Sequence, residues 1–99
     1  MYGTVAHARI KEGAEERLTA MLREYGALNV PGYRATYLYR MDTDPREIYM
    51  AVVFDSKEAY ERNADSPEQD ARYREMLDLL ESAPEWHDGE ILTDVVVPA

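Results

Sequence analysis

The seven residues IYMAVVF, at positions 48–54, decide how the rest of the chain is arranged. They are β-branched, aromatic or otherwise apolar, with Asp and Pro residues before them and an Asp after them, which predicts a β-strand. Side chains alternate between the two faces of a strand, and a strand with one face in water alternates apolar with polar residues. Here both alternating sets are apolar. We therefore expect this strand to be covered on both faces.

The chain around this strand contains segments with helical and with strand patterns. Apolar residues at helical spacing predict a first helix over residues 14–28. Asp55 with Glu58 three residues later resembles a capping box and predicts the start of a second helix. Ser66 as a cap, with Pro67 at the first helical position, predicts that this second helix breaks and restarts. The other strands are predicted at residues 2–10, 33–41 and 90–97.

The predicted order is β-α-β-β-α-β, which is typical of an α+β, ferredoxin-like fold. Such a fold has a four-stranded antiparallel sheet with both helices on one face. The length of 99 residues favours one domain over residues 1–99. The helices then leave the other face of the sheet bare, including Tyr49, Ala51 and Val53, which is a large apolar patch for a monomer. We expect a second copy to pack there, sheet against sheet, in a homodimer.

The composition argues against several classes of partner. The net charge is −9, from 20 acidic and 11 basic residues, so nucleic acids and anionic membranes are poor partners. No apolar run is long enough for a transmembrane helix, and the first ten residues lack the pattern of a secretory signal. The sequence contains no cysteine, which rules out disulfides and thiolate chemistry and fits a cytoplasmic location.

Three segments resemble the antibiotic biosynthesis monooxygenase (ABM) domains of the dimeric α/β-barrel superfamily. HARIKEG, at residues 7–13, leads into the first helix, and VVFDSKEAYERN, at residues 52–63, is followed by SPEQDARY, at residues 66–73. The resemblance implies a small homodimer that oxidises a small aromatic or quinone-like substrate, such as an anthrone, with molecular oxygen and without metal or flavin. A non-catalytic homodimer that binds a small hydrophobic ligand is the alternative function.

The resemblance also implies which residues carry the chemistry. An Asn on the first strand of the family falls at His7. The quinone-forming members have an Asn and, ten residues later, a Tyr on the broken second helix, and Asn63 and Tyr73 match them. A Trp that those enzymes carry between the two has no counterpart. In haem-degrading relatives a Trp falls at Asn63 and a His at Tyr73, and since neither is present, haem degradation is not expected.

The chemistry of these residue types fits such a role. His7 can take a proton near neutral pH, whereas Asn63 and Tyr73 can stabilise negative charge that develops on a substrate oxygen. Their structural alternatives are a core histidine, a helix cap and a core tyrosine. Trp86 and Tyr60 are expected to contact the substrate, although Trp86 also suits a dimer contact.

Two other features lead to less specific expectations. Tyr33, Tyr37 and Tyr39 share a strand face, and such rings suit a pocket for flat ligands or a wet dimer interface, with the interface explaining more of them. His7 and His87 lack the paired spacing of metal ligands, and no Gly-rich phosphate loop is present, so we expect no metal and no cofactor. An open pocket with polar groups around His7 would favour catalysis, and a cavity filled by Met and Leu would favour the non-catalytic alternative.

Overall fold

The structure is a computed structural model and describes residues 1–98. Its strands and helices follow the predicted β-α-β-β-α-β order, with the second helix divided in two. In chain order they are β1 (Tyr2–Arg9), α1 (Glu15–Gly26), β2 (Tyr33–Arg40), β3 (Glu47–Phe54), α2 (Lys57–Ala64), α3 (Pro67–Leu77) and β4 (Glu85–Glu90).

The four strands form one antiparallel sheet in the order β2-β3-β1-β4. The apolar stretch at residues 48–54 belongs to β3, a central strand. Ile48, Met50 and Phe54 are buried, and Phe54 is 1% exposed. The intervening Tyr49 is exposed, so the two apolar sets do lie on opposite faces as expected. The α+β, ferredoxin-like prediction is confirmed.

The core lies between the helices and the face of the sheet that carries Ile48, which we call the inner face. Leu18 of α1 and Met76 of α3 join Ile48 and Met50 in one buried cluster. Gly32 lets α2 approach the start of β2 closely, because a side chain there would lie 2.5 Å from the Cβ atom of Ala59. The helices therefore form one layer over the inner face.

Two serines define the helix boundaries after β3. The Ser66 hydroxyl accepts a hydrogen bond from the backbone N–H of Gln69 at 3.1 Å, and Pro67 takes the first helical position, as predicted. At the start of α2 the cap is Ser56, whose hydroxyl accepts from the N–H of Ala59, and not the predicted Asp55. Ser56 has the extended backbone that a cap requires.

The last strand is not where the sequence predicted it. β4 spans Glu85–Glu90, so only Glu90 of the predicted strand at residues 90–97 lies in the sheet. Leu80 forms a bridge to Ile10 soon after α3 ends, so the chain reaches the edge of β1 early. β4 then runs antiparallel to β1, and its last residue, Glu90, pairs with Tyr2, the first residue of β1. Later residues have no strand left to pair with, which outweighs their β propensity.

Apolar groups remain exposed on the opposite face of the sheet, which we call the outer face. The side chain of Tyr37 is 60% exposed there, and Val5, Tyr39 and Tyr49 are exposed beside it. The segment after β4 is also apolar and open, with Leu92 at 92% exposure. Among residues 1–98, no helix has the length and apolar character needed to cross a membrane.

Candidate functional site

A cavity of about 400 Å³ lies between the helices and the inner face of the sheet. Ligand sites in proteins are usually of this size or larger, with a mostly apolar wall and a few polar groups. Four of the five residues that the sequence predicted for the site line it, namely Asn63, Tyr73, Tyr60 and Trp86. The cavity is not filled by Met and Leu side chains, although Met21, Leu22, Met50 and Met76 form part of its wall.

Asn63 and Tyr73 reach the cavity from two different helices. Asn63 is near the end of α2, and Tyr73 is two turns into α3. Ser66 connects them, because its hydroxyl donates to the Asn63 carbonyl at 2.8 Å while it caps α3. The centroid of the Tyr73 ring lies 5.9 Å from that of the Trp86 ring, which belongs to β4. The break between the helices therefore holds both residues in one wall.

Tyr60 and Asp88 form a hydrogen-bonded pair in the cavity wall. The Tyr60 hydroxyl donates to the Asp88 carboxylate at 2.9 Å. Burial, and then the hydrogen bond to Asp88, raise the pKa of Tyr60 well above its ordinary value. Tyr60 is therefore a neutral phenol at physiological pH. Its ring packs edge-on against Phe54 and Tyr2, at centroid distances of 5.6 and 5.3 Å.

The structure does not bring His7 to this cavity. His7 lies on the outer face, where its ring stacks on Tyr49 with centroids 4.7 Å apart. Its Nε2 atom lies 2.6 Å from a carboxylate oxygen of Glu47. Thr4 and Ala6 of the same strand are buried on the inner face, so the period of two directs His7 away from it. His7 is not among the residues that line the cavity, so the open pocket around His7 that would favour catalysis is not observed in residues 1–98.

An ion-pair cluster surrounds His7 on the outer face. Arg9 donates to Asp44 at 2.7 Å, to Glu47 at 2.9 Å and to Glu81 at 3.0 Å. The hydrogen bond from Arg9, followed by that from His7, holds the pKa of Glu47 below its usual range. Arg9 likewise lowers the pKa of Asp44. His7 therefore belongs to a charged network at one end of the outer face.

The cavity wall also contains polar residues that sequence reasoning missed. Arg72 lies over the ring of Tyr25, 5.0 Å from its centroid, and its Nε atom donates to Gln69 at 3.1 Å. The side-chain hydroxyl of Thr4 is buried without a hydrogen-bond partner among residues 1–98. Position 72 lies beside the predicted helical stripe of Gln69, Tyr73 and Met76, and this spacing is the signal in the sequence that would have identified Arg72.

The described residues do not include a group of three or more His, Asp or Glu side chains arranged to hold a metal ion. The polar groups of the cavity are instead hydroxyls, an amide, a guanidinium and carboxylates. Such groups bind and orient an organic ligand through hydrogen bonds, and the aromatic rings offer flat surfaces for stacking. The arrangement is therefore suited to a flat organic molecule with a few polar substituents.

Known structures share this fold over almost the whole chain. A protein of Chloroflexus aurantiacus J-10-fl that carries the name antibiotic biosynthesis monooxygenase is 24% identical, with 98% of each chain covered and a TM-score of 0.76. SnoaB of Streptomyces nogalater, described as a cofactor-independent oxygenase, is 14% identical, with 95% of each chain covered and a TM-score of 0.78. Rv0793 of Mycobacterium tuberculosis is 18% identical, with 96% of this chain and 98% of that chain covered and a TM-score of 0.73.

Sequence comparison identifies the family. A search of curated protein sequences finds no match to this chain. The sequence profile of the family described as "Antibiotic biosynthesis monooxygenase" matches residues 1–75, which include the first three strands, α1, α2 with Asn63 and most of α3 with Tyr73. The chain therefore belongs to the antibiotic biosynthesis monooxygenase family.

Proposed function

We propose that this protein is a cofactor-independent monooxygenase that oxidises a small aromatic or quinone-forming substrate in the cavity on the inner face. The observation that carries the proposal is the shared wall of Asn63 and Tyr73, which present an amide and a phenol to one open, aromatic-lined space. Membership of the family, and the likeness of the fold to a cofactor-independent oxygenase, support the reaction class.

In the proposed reaction, a ring CH₂ group of an anthrone-like substrate becomes a ketone. A proton leaves the reacting carbon, and the enolate that forms gives one electron to O₂. Superoxide and the substrate radical combine, and protonation gives a hydroperoxide at that carbon. Loss of water from the hydroperoxide leaves the C=O group, so one oxygen atom of O₂ enters the product and the other becomes water.

The cavity residues have distinct parts in this proposal. Asn63 and Tyr73 donate hydrogen bonds to the oxygen on which the enolate charge develops. Asp88 accepts the proton, because its carboxylate lines the cavity beside Tyr60, whereas Asp70, the other acidic residue of the wall, is paired with Arg74 at 3.1 Å. Tyr60 and Trp86 hold the substrate rings. The protein contributes orientation and removal of water.

We also propose that two copies associate through their outer faces. The exposed tyrosines and Val5 on that face support this, because a monomer rarely leaves so many neighbouring apolar groups in water. A two-fold axis is the usual relation between copies that bury the same patch. The inner-face cavity of each copy then remains open to substrate.

Incubation with anthrone under oxygen tests the reaction. The wild-type protein is expected to accelerate oxygen uptake and anthraquinone formation over the rate without protein. Asn63→Ala is expected to lower turnover by about 100-fold and Tyr73→Phe by about tenfold, because each removes a donor to the developing charge. Arg62→Gln is the control, since Arg62 is exposed and adjacent to Asn63. Unchanged turnover in both cavity variants would contradict the site assignment.

The second candidate function is ligand binding without chemistry. The methionine and leucine side chains in the wall favour it, since they add shape and apolar area but no reactive group. This function predicts saturable binding of anthrone with oxygen uptake no faster than in buffer. Calorimetry of binding alongside the oxygen electrode therefore separates the two functions.

A further inference from the structure

Arg72 differs from the other basic residues in its surroundings. Most arginines and lysines of the chain form ion pairs with carboxylates, such as Arg9 with Asp44 and Arg40 with Glu15. Among residues 1–98, three arginines have no acidic partner, namely Arg23, Arg62 and Arg72. The first two are exposed to solvent, whereas Arg72 is half-buried and lines the cavity. A cation in such a place ordinarily has an acidic neighbour.

Two contacts hold the Arg72 side chain in the wall. The guanidinium lies over the ring of Tyr25, and Nε donates to Gln69 one turn earlier in α3. These contacts use the face of the guanidinium and one of its five N–H groups. The other N–H groups, on Nη1 and Nη2, make no hydrogen bond within the described part of the chain. Arg72 is therefore positioned by uncharged neighbours, and its charge is left for a ligand.

Two neutral donors accompany Arg72 in the same region of the cavity. The Tyr25 hydroxyl is one, because burial raises the pKa of Tyr25 and keeps it protonated. The Asn63 side chain is the other, and it lies close enough to Tyr25 to oppose that increase in pKa. All three side chains line the cavity. A guanidinium, a phenol and an amide together supply the donors that an anionic oxygen accepts.

Two acidic residues, Asp70 and Asp88, also line the cavity, and neither forms an ion pair with Arg72. Tyr25 packs edge-on against Tyr33 of β2, with ring centroids 4.8 Å apart, so Arg72 lies towards β2. Asp88 is on β4, and β2 and β4 are the two outer strands of the sheet. Three strand spacings, about 14 Å, separate such strands. Asp70 is paired with Arg74 at 3.1 Å, and Asp88 accepts a hydrogen bond from Tyr60 at 2.9 Å, so neither carboxylate is paired with Arg72.

From this arrangement we infer that Arg72, with Tyr25 and Asn63, forms an anion-binding corner of the cavity, which selects aromatic ligands that carry an anionic oxygen. The inference rests on the proposed function, and it defines its substrate class further. A carboxylate, or an ionised phenol or enol, is the group bound. In the proposed oxidation, the same corner stabilises the enolate and so makes the substrate more acidic when bound.

Binding of matched probes tests the inference without any oxidation. The probes are 2-naphthoate and 2-naphthamide, which share the ring system and differ in charge. Wild-type protein is expected to bind 2-naphthoate at least about tenfold more tightly than 2-naphthamide, since a hydrogen bond to a charged group contributes about that factor. Arg72→Gln is expected to abolish the preference, and Arg62→Gln, which removes the same charge from an exposed site, to keep it.

A second measurement tests whether the cavity binds a phenol in its ionised form. The ultraviolet absorption of 2-naphthol changes when it ionises, so its ionisation can be followed while bound. Wild-type protein and Arg62→Gln are expected to lower the pKa of bound 2-naphthol, and Arg72→Gln is not. A shift with 2-naphthol but no preference for 2-naphthoate would assign the corner to phenolates alone, and the reverse would assign it to carboxylates.

Three results would overturn the inference: no measurable binding of the probes by wild-type protein, equal binding of the charged and neutral probes with no pKa shift of 2-naphthol, or the same preference in Arg72→Gln as in wild type. The proposed oxidation is scored separately, by oxygen uptake with anthrone. Turnover of anthrone without charge selection refutes only this inference. Charge selection without turnover refutes only the monooxygenase reaction.

Discussion

At the scale of single residues, Thr4 and Thr36 offer a matched comparison on the inner face. They flank Val52 on neighbouring strands, and both line the cavity. The Thr36 hydroxyl is hydrogen-bonded to the Tyr33 hydroxyl at 2.6 Å. Thr4 is 4% exposed and has no partner among residues 1–98. The two threonines thus share their chemistry and differ in hydrogen bonding.

The two Thr→Val substitutions are expected to change the free energy of unfolding in different ways. Thr4→Val removes a buried, unsatisfied hydroxyl and is expected to leave the free energy of unfolding unchanged or raise it by about 1 kcal/mol. Thr36→Val leaves the Tyr33 hydroxyl without its partner and is expected to lower it by about 1 kcal/mol. Urea unfolding measures both. Equal losses in the two variants would mean that the Thr4 hydroxyl is satisfied in solution.

Glu47 contacts both Arg9 and His7 in the outer-face cluster, and it is expected to make stability dependent on pH. Its folded-state pKa is depressed, chiefly by Arg9 and then by His7. A group of this kind stabilises the fold above its unfolded pKa, about 4.3, and that stabilisation is lost as pH falls through the lower folded value. Glu47→Gln is therefore expected to be less stable than wild type at pH 7.

The acid side of the stability curve provides the check. Wild-type protein is expected to lose more stability than Glu47→Gln when the pH is lowered from 6 to 3, because the variant has no carboxylate there to protonate. Urea unfolding at several pH values measures the two slopes. Parallel slopes for the two proteins would show that Arg9 does not hold this carboxylate in solution. The exposed Glu12→Gln variant controls for the change in net charge.

At the scale of secondary structure, the break between α2 and α3 is what assembles the cavity wall. A continuous helix would separate residues ten positions apart by about 15 Å along its axis and about 80° around it, because each residue rises by about 1.5 Å and turns by about 100°. The break allows Asn63 and Tyr73 to reach the same cavity from separate helices. Ser66 stabilises the break through both of its hydrogen bonds.

Substitution of Ser66 should therefore affect stability and activity together. Ser66→Ala is expected to lower the free energy of unfolding by about 1 kcal/mol, which is typical for loss of a helix cap. It is also expected to lower anthrone turnover in the protein that remains folded, because the Asn63 carbonyl loses the hydroxyl that positions it. Ser82→Ala, at an exposed serine outside the helices, is the control. If Ser66→Ala loses stability but keeps wild-type turnover, the Ser66 cap stabilises α3 without positioning Asn63 for the reaction.

At the scale of the whole molecule, the outer face determines the proposed assembly. Tyr37, Ala51 and Val5 lie side by side across β2, β3 and β1, in the middle of that face. The wild-type protein is expected to sediment as a dimer, at twice the chain mass of 11.4 kDa. Tyr37→Glu is expected to shift it towards the monomer, because the dimer would bury an unpaired charge.

A substitution elsewhere on the surface controls for the new charge. Leu28 is 54% exposed and follows the end of α1, outside the four strands. Leu28→Glu is expected to leave the sedimentation coefficient unchanged. A wild-type protein that sediments at the monomer mass, or a Tyr37→Glu variant that remains dimeric, would contradict association through the outer face.

Local patterns in the sequence determined much of the fold. The double apolar alternation of β3, the helical stripes and the Ser66-Pro67 break depend on residues close together in the chain, and the structure has each of them. These features are decided by backbone geometry and neighbouring side chains, which the sequence displays directly. The resemblance to the family, and not these local patterns, predicted Asn63 and Tyr73, which line the cavity together with the predicted Tyr60 and Trp86.

Only the tertiary structure decided the features that depend on distant parts of the chain. The position of β4 follows from where α3 returns the chain to β1, and strand pairing with β1 outweighed the β propensity of residues 90–97. The placement of His7 on the outer face follows from which side of β1 the helices cover. The isolation of Arg72 from carboxylates depends on every neighbour that folding brings near it. Burial and charge pairing are properties of the assembled fold, so short-range patterns do not determine them.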